Sequence, residues 1–322
     1  MPCYSPLTGY YGKSLNPSGK RSIVFNKREA YAGARRAVAG EVKLPCGQCI
    51  GCRLEKSRQW AMRCVHESQM HDENSFLTLT YDDKHLPHDL SLNLKHFQDF
   101  MKRLRKHVTT IDEKEGNKPR KLRFYHCGEY GDKFGRPHYH VCLFGFNFTD
   151  RVPYKEINGT QVYTSEILEE KWGHGFCTIG DLTFESAAYT ARYCTKKVNG
   201  KKKKEHYTKV HPITGEILEL KPEYTTMSRR PGIGKEWYDK FKNDAYPSDY
   251  VTLRGVKMRP PKYYDGQFEI ESPKILKKLK LKRRLNAHKH VDNNTGERLH
   301  VRETCQKAKA NLLKRSYEDE SI

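Results

Sequence analysis

Apolar residues recur along this chain in two rhythms. Four segments rich in β-branched and aromatic residues predict strands: FLTLTY (76–81), KLRFYHCGEYG (121–131), HYHVCLFGF (138–146) and FCTIGDLT (176–183). DKFGRP separates the second from the third, so those two read as a hairpin. Helical spacing appears in RLEKSRQWAMRCVHESQ, through Leu54, Trp60, Ala61, Cys64 and Val65. It appears again in LNLKHFQDFMKRLRKH, through Leu94, Phe97, Phe100, Met101 and Leu104. IDEKEGNKPRK, after it, reads as a loop. SEILEEKWGHG predicts a short helix closed by glycine. ESAAYTARYCTKK (185–197) predicts another, with Glu185 and Ser186 suited to its first turn.

Further on, EHYTKVHPITGEILEL suggests a hairpin around Pro212–Gly215, and MSRRPGIGKEWYDKF a Pro–Gly turn entering a helix. KILKKLKLKRRLNAHKH is a basic helix with a thin apolar stripe, and SYEDESI reads as frayed. Residues 1–50, rich in Gly, Pro and Lys, look irregular. The order βαββαβα with antiparallel hairpins predicts an α+β fold, a central antiparallel sheet with flanking helices on one face. Three segments are expected: an N-terminal segment with a cysteine cluster and a helix (1–72), a main domain (73–245) and a basic C-terminal tail (246–322).

Composition narrows the chemistry. The chain has 322 residues, mean hydropathy −0.89 and no run of eighteen apolar residues, so no membrane span is expected. MPCYSPLTGYYGKS lacks a basic-then-apolar signal, which argues against export. Sixty Lys and Arg against 39 Asp and Glu give a net charge of +21 and point to a polyanionic partner, most simply nucleic acid. The charge clusters at Arg103, Arg105 and Lys106, at Lys201 to Lys204, and at Lys277, Lys278, Lys280, Lys282, Arg283 and Arg284. Arg103, Arg105, Lys106 and Arg136 are candidate DNA contacts, and twenty tyrosines are available to stack on unpaired bases.

Of ten cysteines, Cys46, Cys49 and Cys52 form CxxCxxC. A disulfide scaffold is normally small and secreted, so these thiols read as reduced. Their spacing suits a structural Zn²⁺, which wants four ligands; Cys3, Cys64 or His66 is available as the fourth. An iron–sulfur cluster has less support.

His138 and His140 stand one residue apart on a predicted strand and therefore share a face. Alone, such a pair is more often an exposed strand face than a metal site. Glu129, across the turn, would sit beside one of them and complete two imidazoles and a carboxylate with open positions, suited to Mg²⁺, Mn²⁺ or Zn²⁺. Tyr189 and Tyr193 lie one helical turn apart, with Lys196 and Lys197 three and four residues past the second. A tyrosine pair at that spacing is commonly packing. Beside a metal and cations, it can attack a phosphodiester.

Together these residues resemble an HUH endonuclease, and more closely the replication initiators of microviruses, which are small single-stranded DNA phages, with the strongest likeness to the gokushovirus branch. PCGQCIGCR, FLTLTYDD, CGEYGDKFGRPHYHVCLFG, the YxxxY helix and RRPGIGKEW carry the resemblance over roughly residues 43 to 240. The resemblance implies an RNA-recognition-like sheet, a divalent Mg²⁺ or Mn²⁺ on His138 and His140, and strand cleavage and joining by Tyr189 and Tyr193. Glu129 as third ligand is carried from related HUH proteins. It also implies a viral DNA origin as partner, single-stranded or supercoiled, host helicase and polymerase, and the host bacterial cytoplasm as location. Tyr139 between the histidines departs from the aliphatic residue expected there; its hydroxyl needs a partner if buried. Relaxases usually place the tyrosine before the histidines, whereas here it follows. A non-catalytic nucleic-acid-binding protein with a zinc-held segment would explain charge and cysteines but leave both pairs idle. A cupin-type oxygenase also uses HxH, but with its acid after the histidines.

Overall fold

The structure, a computed structural model, describes residues 3–17, 19–31, 41–131, 134–157, 159–193, 203–211 and 214–312, and of Tyr193 the backbone alone. In chain order the first elements are β1 (Leu7–Leu15), β2 (Arg21–Val24), β3 (Glu41–Leu44), α1 (Ile50–Ser68), β4 (Asn74–Leu79), α2 (Leu94–Lys114), β5 (Arg123–Tyr130) and β6 (Pro137–Phe144). They continue with β7 (Val152–Ile157), β8 (Thr160–Thr164), α3 (Glu166–Trp172), β9 (Cys177–Gly180), α4 (Phe184–Tyr193), α5 (Lys203–Tyr207), β10 (Thr208–Val210), β11 (Ile217–Glu219) and β12 (Tyr224–Met227). The last are α6 (Lys235–Ala245), β13 (Val251–Leu253), β14 (Val256–Met258), α7 (Lys262–Glu271), α8 (Pro273–His288) and α9 (Gly296–Asn311). The described residues divide into two compact units, one made of those up to Lys56 together with those from Arg284 onward, the other of those between Ser57 and Arg283.

The larger unit is built on a seven-stranded sheet in the order β12-β5-β6-β4-β9-β8-β7, antiparallel at every pairing. The predicted βαββαβα order survives as β4-α2-β5-β6-α3-β9-α4, with the β7–β8 hairpin inserted before α3. That hairpin has a sequence signal, Asn-Gly at 158–159 between strand-forming residues. The β12 edge strand does not, because it arrives from far along the chain.

Alternation along the strands sends side chains to two faces, and both are covered. Leu77, Leu79, Tyr139, Val141, Leu143 and Ile179 pack against Phe97, Phe100, Met101, Leu104 and Val108 of α2 and Leu168 and Trp172 of α3. Phe76, Tyr125, Cys127, Cys142 and Phe144 pack against Ala61 and Cys64 of α1 and Ala187, Tyr189 and Ala191 of α4. The helices therefore lie on both faces and not on one, as the pattern suggested. The reason is visible in β6, where seven of eight residues are buried: a strand apolar on both sides needs two layers.

Two loop readings are also corrected. α2 runs on through IDEK to Lys114, because Asp112 at its end holds Arg120, with Nε 2.7 Å from Oδ1, and accepts the Arg120 amide at 2.6 Å. Residues 1–50 contain β1, β2 and β3, a sheet in the order β2-β1-β3, held by backbone pairing and with few buried side chains to announce it. The hairpin β10–β11 and the helices α6 and α8 fall where the pattern predicts, whereas α9 was not foreseen. The stripe of α8 is Leu276 and Leu279, which join Met62, Trp237, Tyr238, Tyr264 and Phe268 in a separate core.

RRPGIGKEW is pinned by a buried ion pair between Glu67 of α1 and Arg123 of β5, 1% and 2% exposed. Arg123 donates from Nε to Glu67 Oε1 and from Nη2 to the Pro231 carbonyl, the latter at 2.8 Å. Glu67 Oε2 accepts the Gly234 amide at 2.5 Å. Gly234 has φ 77°, and a Cβ there would meet the Tyr264 hydroxyl at 2.5 Å, so glycine is required on both counts. Burial pushes the Glu67 carboxyl up, but hydrogen bonds from His71, the Gly234 amide and Arg123 outweigh it and hold it below the ordinary carboxylate value. A depressed folded pKa means that Glu67 contributes fully above its unfolded value of about 4.3 and that the contribution is lost as pH falls through the folded value. Glu67→Ala, which leaves Arg123 buried and uncompensated, is expected to lower unfolding free energy by about 3–5 kcal/mol in urea at pH 7. The gap between variant and wild type should narrow as pH falls below about 4.

Candidate functional site

The hairpin of β5 and β6 pairs Glu129 with His138 and Cys127 with His140, so Glu129 and both histidines share one sheet face. Glu129 Oε1 lies 3.1 Å from His138 Nε2 and 2.8 Å from His140 Nε2. The Glu129 and His140 side chains are 0% and 1% exposed, and His138 keeps 13%, leaving the set reachable from that side. Burial would push the Glu129 carboxyl up; the imidazoles of His138 and His140 outweigh it and hold it at about 2.

The other ring nitrogens are held from behind. His138 Nδ1 is 3.2 Å from the Arg136 carbonyl, which can only accept, so Nδ1 donates there while Nε2 faces Glu129. His140 Nδ1 bonds the Thr78 hydroxyl at 3.1 Å, from the β4 position paired with His140. Two imidazole nitrogens and a carboxylate oxygen, with ligand atoms within 4.8 Å of one another and the rings oriented by outer partners, fit a divalent cation. Sequence reading missed Thr78, although its alternation in FLTLTY puts it on the same face.

Tyr139 is accommodated on the opposite face. Its hydroxyl accepts from the Asn93 amide at 2.8 Å, donates to the Asn93 carbonyl at 3.1 Å and meets the Tyr81 hydroxyl at 2.9 Å. Its cross-strand partner is Gly128, where a Cβ would stand 3.1 Å from the ring.

α4 brings a tyrosine to the same site. Its start is capped reciprocally: Thr183 N–H donates to Ser186 Oγ at 2.8 Å and Ser186 N–H to Thr183 Oγ1 at 3.2 Å. The small Ala187 and Ala191 let the helix lie close on the sheet. Tyr189, 2% exposed, places its ring 5.0 Å from that of His140, nearly perpendicular to it, with the Arg192 guanidinium 6.0 Å over the tyrosine ring. Tyr193 ends the helix; its side chain, Lys196 and Lys197 lie outside what is described.

The other candidates are dispersed. Arg103, Arg105 and Lys106 sit on α2, which covers the face away from Glu129 and the histidines. Arg103 donates to the carbonyls of Lys171 and Trp172, both at 2.8 Å, and so closes α3. Arg136 is beside the site, bonded to Asp83 at 2.6 Å and to the Tyr81 carbonyl at 2.9 Å. Cys46, Cys49 and Cys52 meet Cys3. Cys64 lies in the sheet core, and His66 stacks 3.5 Å from Trp237 and bonds the Tyr264 hydroxyl at 2.9 Å, so neither is the fourth member. Among the described residues no helix is long and apolar enough to cross a membrane.

Thr78→Val removes the partner of His140 Nδ1 while keeping the shape of the side chain. It is expected to weaken Mn²⁺ binding, read by electron paramagnetic resonance, by roughly 10–100-fold. An unchanged affinity would show that Thr78 does not orient the ring.

Residues 74–198, from β4 past α4, match the family described as replication-associated protein ORF2/G2P. The chain is 39% identical over 231 residues to replication-associated protein VP4 of Bdellovibrio phage phiMH2K, covering 71% of this chain and 68% of that protein. It is 36% identical over 238 residues to replication-associated protein ORF2 of Spiroplasma virus 4, with 71% and 68% covered. With replication-associated protein ORF4 of Chlamydia phage 1 it shares 29% over 253 residues, 73% of this chain and 58% of that protein. No solved structure matches the chain. By these matches the chain belongs to the phage replication-associated proteins, as a replication initiator of the microvirus type.

Proposed function

We propose that this protein starts rolling-circle replication by nicking the viral DNA origin and later joins the displaced strand into a circle. The observation that carries the proposal is Tyr189 set against His140 on the face that also gathers His138 and Glu129. When bound there, Mg²⁺ or Mn²⁺ would polarise a phosphodiester and steady its leaving oxygen. A tyrosine Oη attacks phosphorus, its O–P bond forming as the bond to the 3′ oxygen breaks. The products are a 5′-phosphotyrosine and a free 3′-hydroxyl.

A phenol is a weak nucleophile and must lose its proton in the attack. Arg192, over the Tyr189 ring, and Lys196 and Lys197, close in sequence, are the cations proposed to favour that loss. The 3′-hydroxyl primes host polymerase, with a host helicase opening the duplex. The phosphotyrosine keeps the energy of the broken ester, so attack on it by a 3′-hydroxyl rejoins DNA. A second tyrosine, four residues along the helix, takes the next transfer while the first end is still held. In this reading Arg136 and the exposed basic runs track phosphates, and the sheet is of the HUH, RNA-recognition-like kind.

The test is a covalent adduct. Wild-type protein with single-stranded origin DNA and Mn²⁺ is expected to give a protein–DNA band on a denaturing gel. Tyr189→Phe with Tyr193→Phe should abolish it, as should chelation or His138→Ala with His140→Ala. Origin binding by the wild-type protein with no adduct under any divalent ion would favour a non-catalytic binding protein instead.

A further inference from the structure

The cysteine motif has no part in the nicking chemistry, yet the smaller unit is arranged around it. β1 and β3 pair antiparallel with Leu7 opposite Leu44, so the residues before β1 lie beside those after β3. This pairing brings Cys3 to Cys46, although 42 positions separate them in the sequence. The chain then turns through Gly47, at φ 75°, to Cys49, and Cys52 follows in the first turn of α1. All four sulfurs lie within 4.8 Å of one another.

We propose that Cys3, Cys46, Cys49 and Cys52 hold one zinc ion as a tetrathiolate site that staples the smaller unit together. Zinc–sulfur bonds of about 2.3 Å in a tetrahedron put sulfurs about 3.8 Å apart. Cys3 Sγ and Cys49 Sγ are 4.0 Å apart, near that edge and far from the roughly 2.05 Å of a disulfide. Backbone amides also converge on the sulfurs. Tyr4 N–H donates to Cys49 Sγ and Cys46 N–H to Cys3 Sγ, both at 3.3 Å. Gln48 and Cys49 N–H donate to Cys46 Sγ at 3.4 and 3.3 Å. Neutral thiols are weak acceptors, so amides gathered in this way match sulfurs that carry negative charge. The first turn of α1 adds its positive end at Cys52.

The unit needs such a staple. Among its described residues, the apolar side chains buried to core levels are Cys3, Ala30 and Leu299. A core that small does not hold a three-stranded sheet without a cross-link or a metal. A four-iron cluster is a poorer fit, because each thiolate would bind a different iron and the sulfurs would stand further apart than they do.

The test uses the full chain carrying His138→Ala and His140→Ala, which empties the other ligand set, purified under reducing conditions with no metal added. Elemental analysis is expected to find one zinc per chain. X-ray absorption should give a shell of four sulfurs at about 2.3 Å. Absence of zinc, iron in its place, or a shell containing nitrogen or oxygen would each overturn the proposal. Cys3→Ser should lose its zinc to a chelator that leaves the parent loaded, with new protease cleavage within β1 to β3. Should that variant fail to fold, the absorption measurement on intact cysteines still decides. The covalent-adduct assay reports on the nicking reaction separately, so failure of either proposal is distinguishable from failure of the other.

Discussion

A carboxylate with no exposed surface survives in a protein interior only if charge or hydrogen bonds replace the water it has lost. Glu129 meets that condition with two imidazole nitrogens at 3.1 and 2.8 Å, and the arrangement exists because β5 and β6 pair in one register. A slip of one residue would turn Glu129 to the other face and strand it among apolar side chains. The far side of the hairpin holds the same register. The Tyr139 ring sits over Gly128, and its hydroxyl is tied to the Asn93 backbone and to Tyr81. Site and core are thus two consequences of one strand pairing.

The two faces are covered differently. Phenylalanines, leucines and Trp172 fill one face beneath α2 and α3. On the other, α4 meets Phe76, Tyr125 and Phe144 of the sheet through Ala187 and Ala191, and the Tyr189 ring stands against that of His140. The same face carries α1, whose Glu67 reaches Arg123 and the Gly234 turn and so ties the chain beyond β12 to the sheet. RRPGIGKEW, one of the stretches that resembles the family, is explained by this packing: its Gly234 amide and Pro231 carbonyl satisfy a buried ion pair.

Charge in this chain is less uniform than its total suggests. Arg103 closes the end of α3, and Arg283 binds Asp265, at 2.6 Å from Nη1, and Asp249, so both are committed within the fold. The lysines of α8 beside Arg283 remain exposed, as do Arg105 and Lys106. Exposed cations at this density attract phosphates at long range and are screened by salt. The contacts among Glu129, His138 and His140 are short-range and shielded from that screening by burial.

Much of this was legible in the sequence because the relevant signals are local. Alternation in HYHVCLFGF placed His138 and His140 on one face, helical spacing placed Phe97, Phe100, Met101 and Leu104 on another, and a short turn made Glu129 their neighbour. The net charge, the CxxCxxC motif and the stretches shared with phage replication proteins were equally plain. What the sequence did not reveal are relations between distant segments: β12 at the edge of β5, Thr78 behind His140, Gly234 on Glu67, helices on both faces of the sheet, and the choice of Cys3 over Cys64 and His66 beside the clustered cysteines. Each depends on which strands pair across long intervening chain, and pairing of that kind is decided by the burial of whole faces at once. No periodicity within a short window records it.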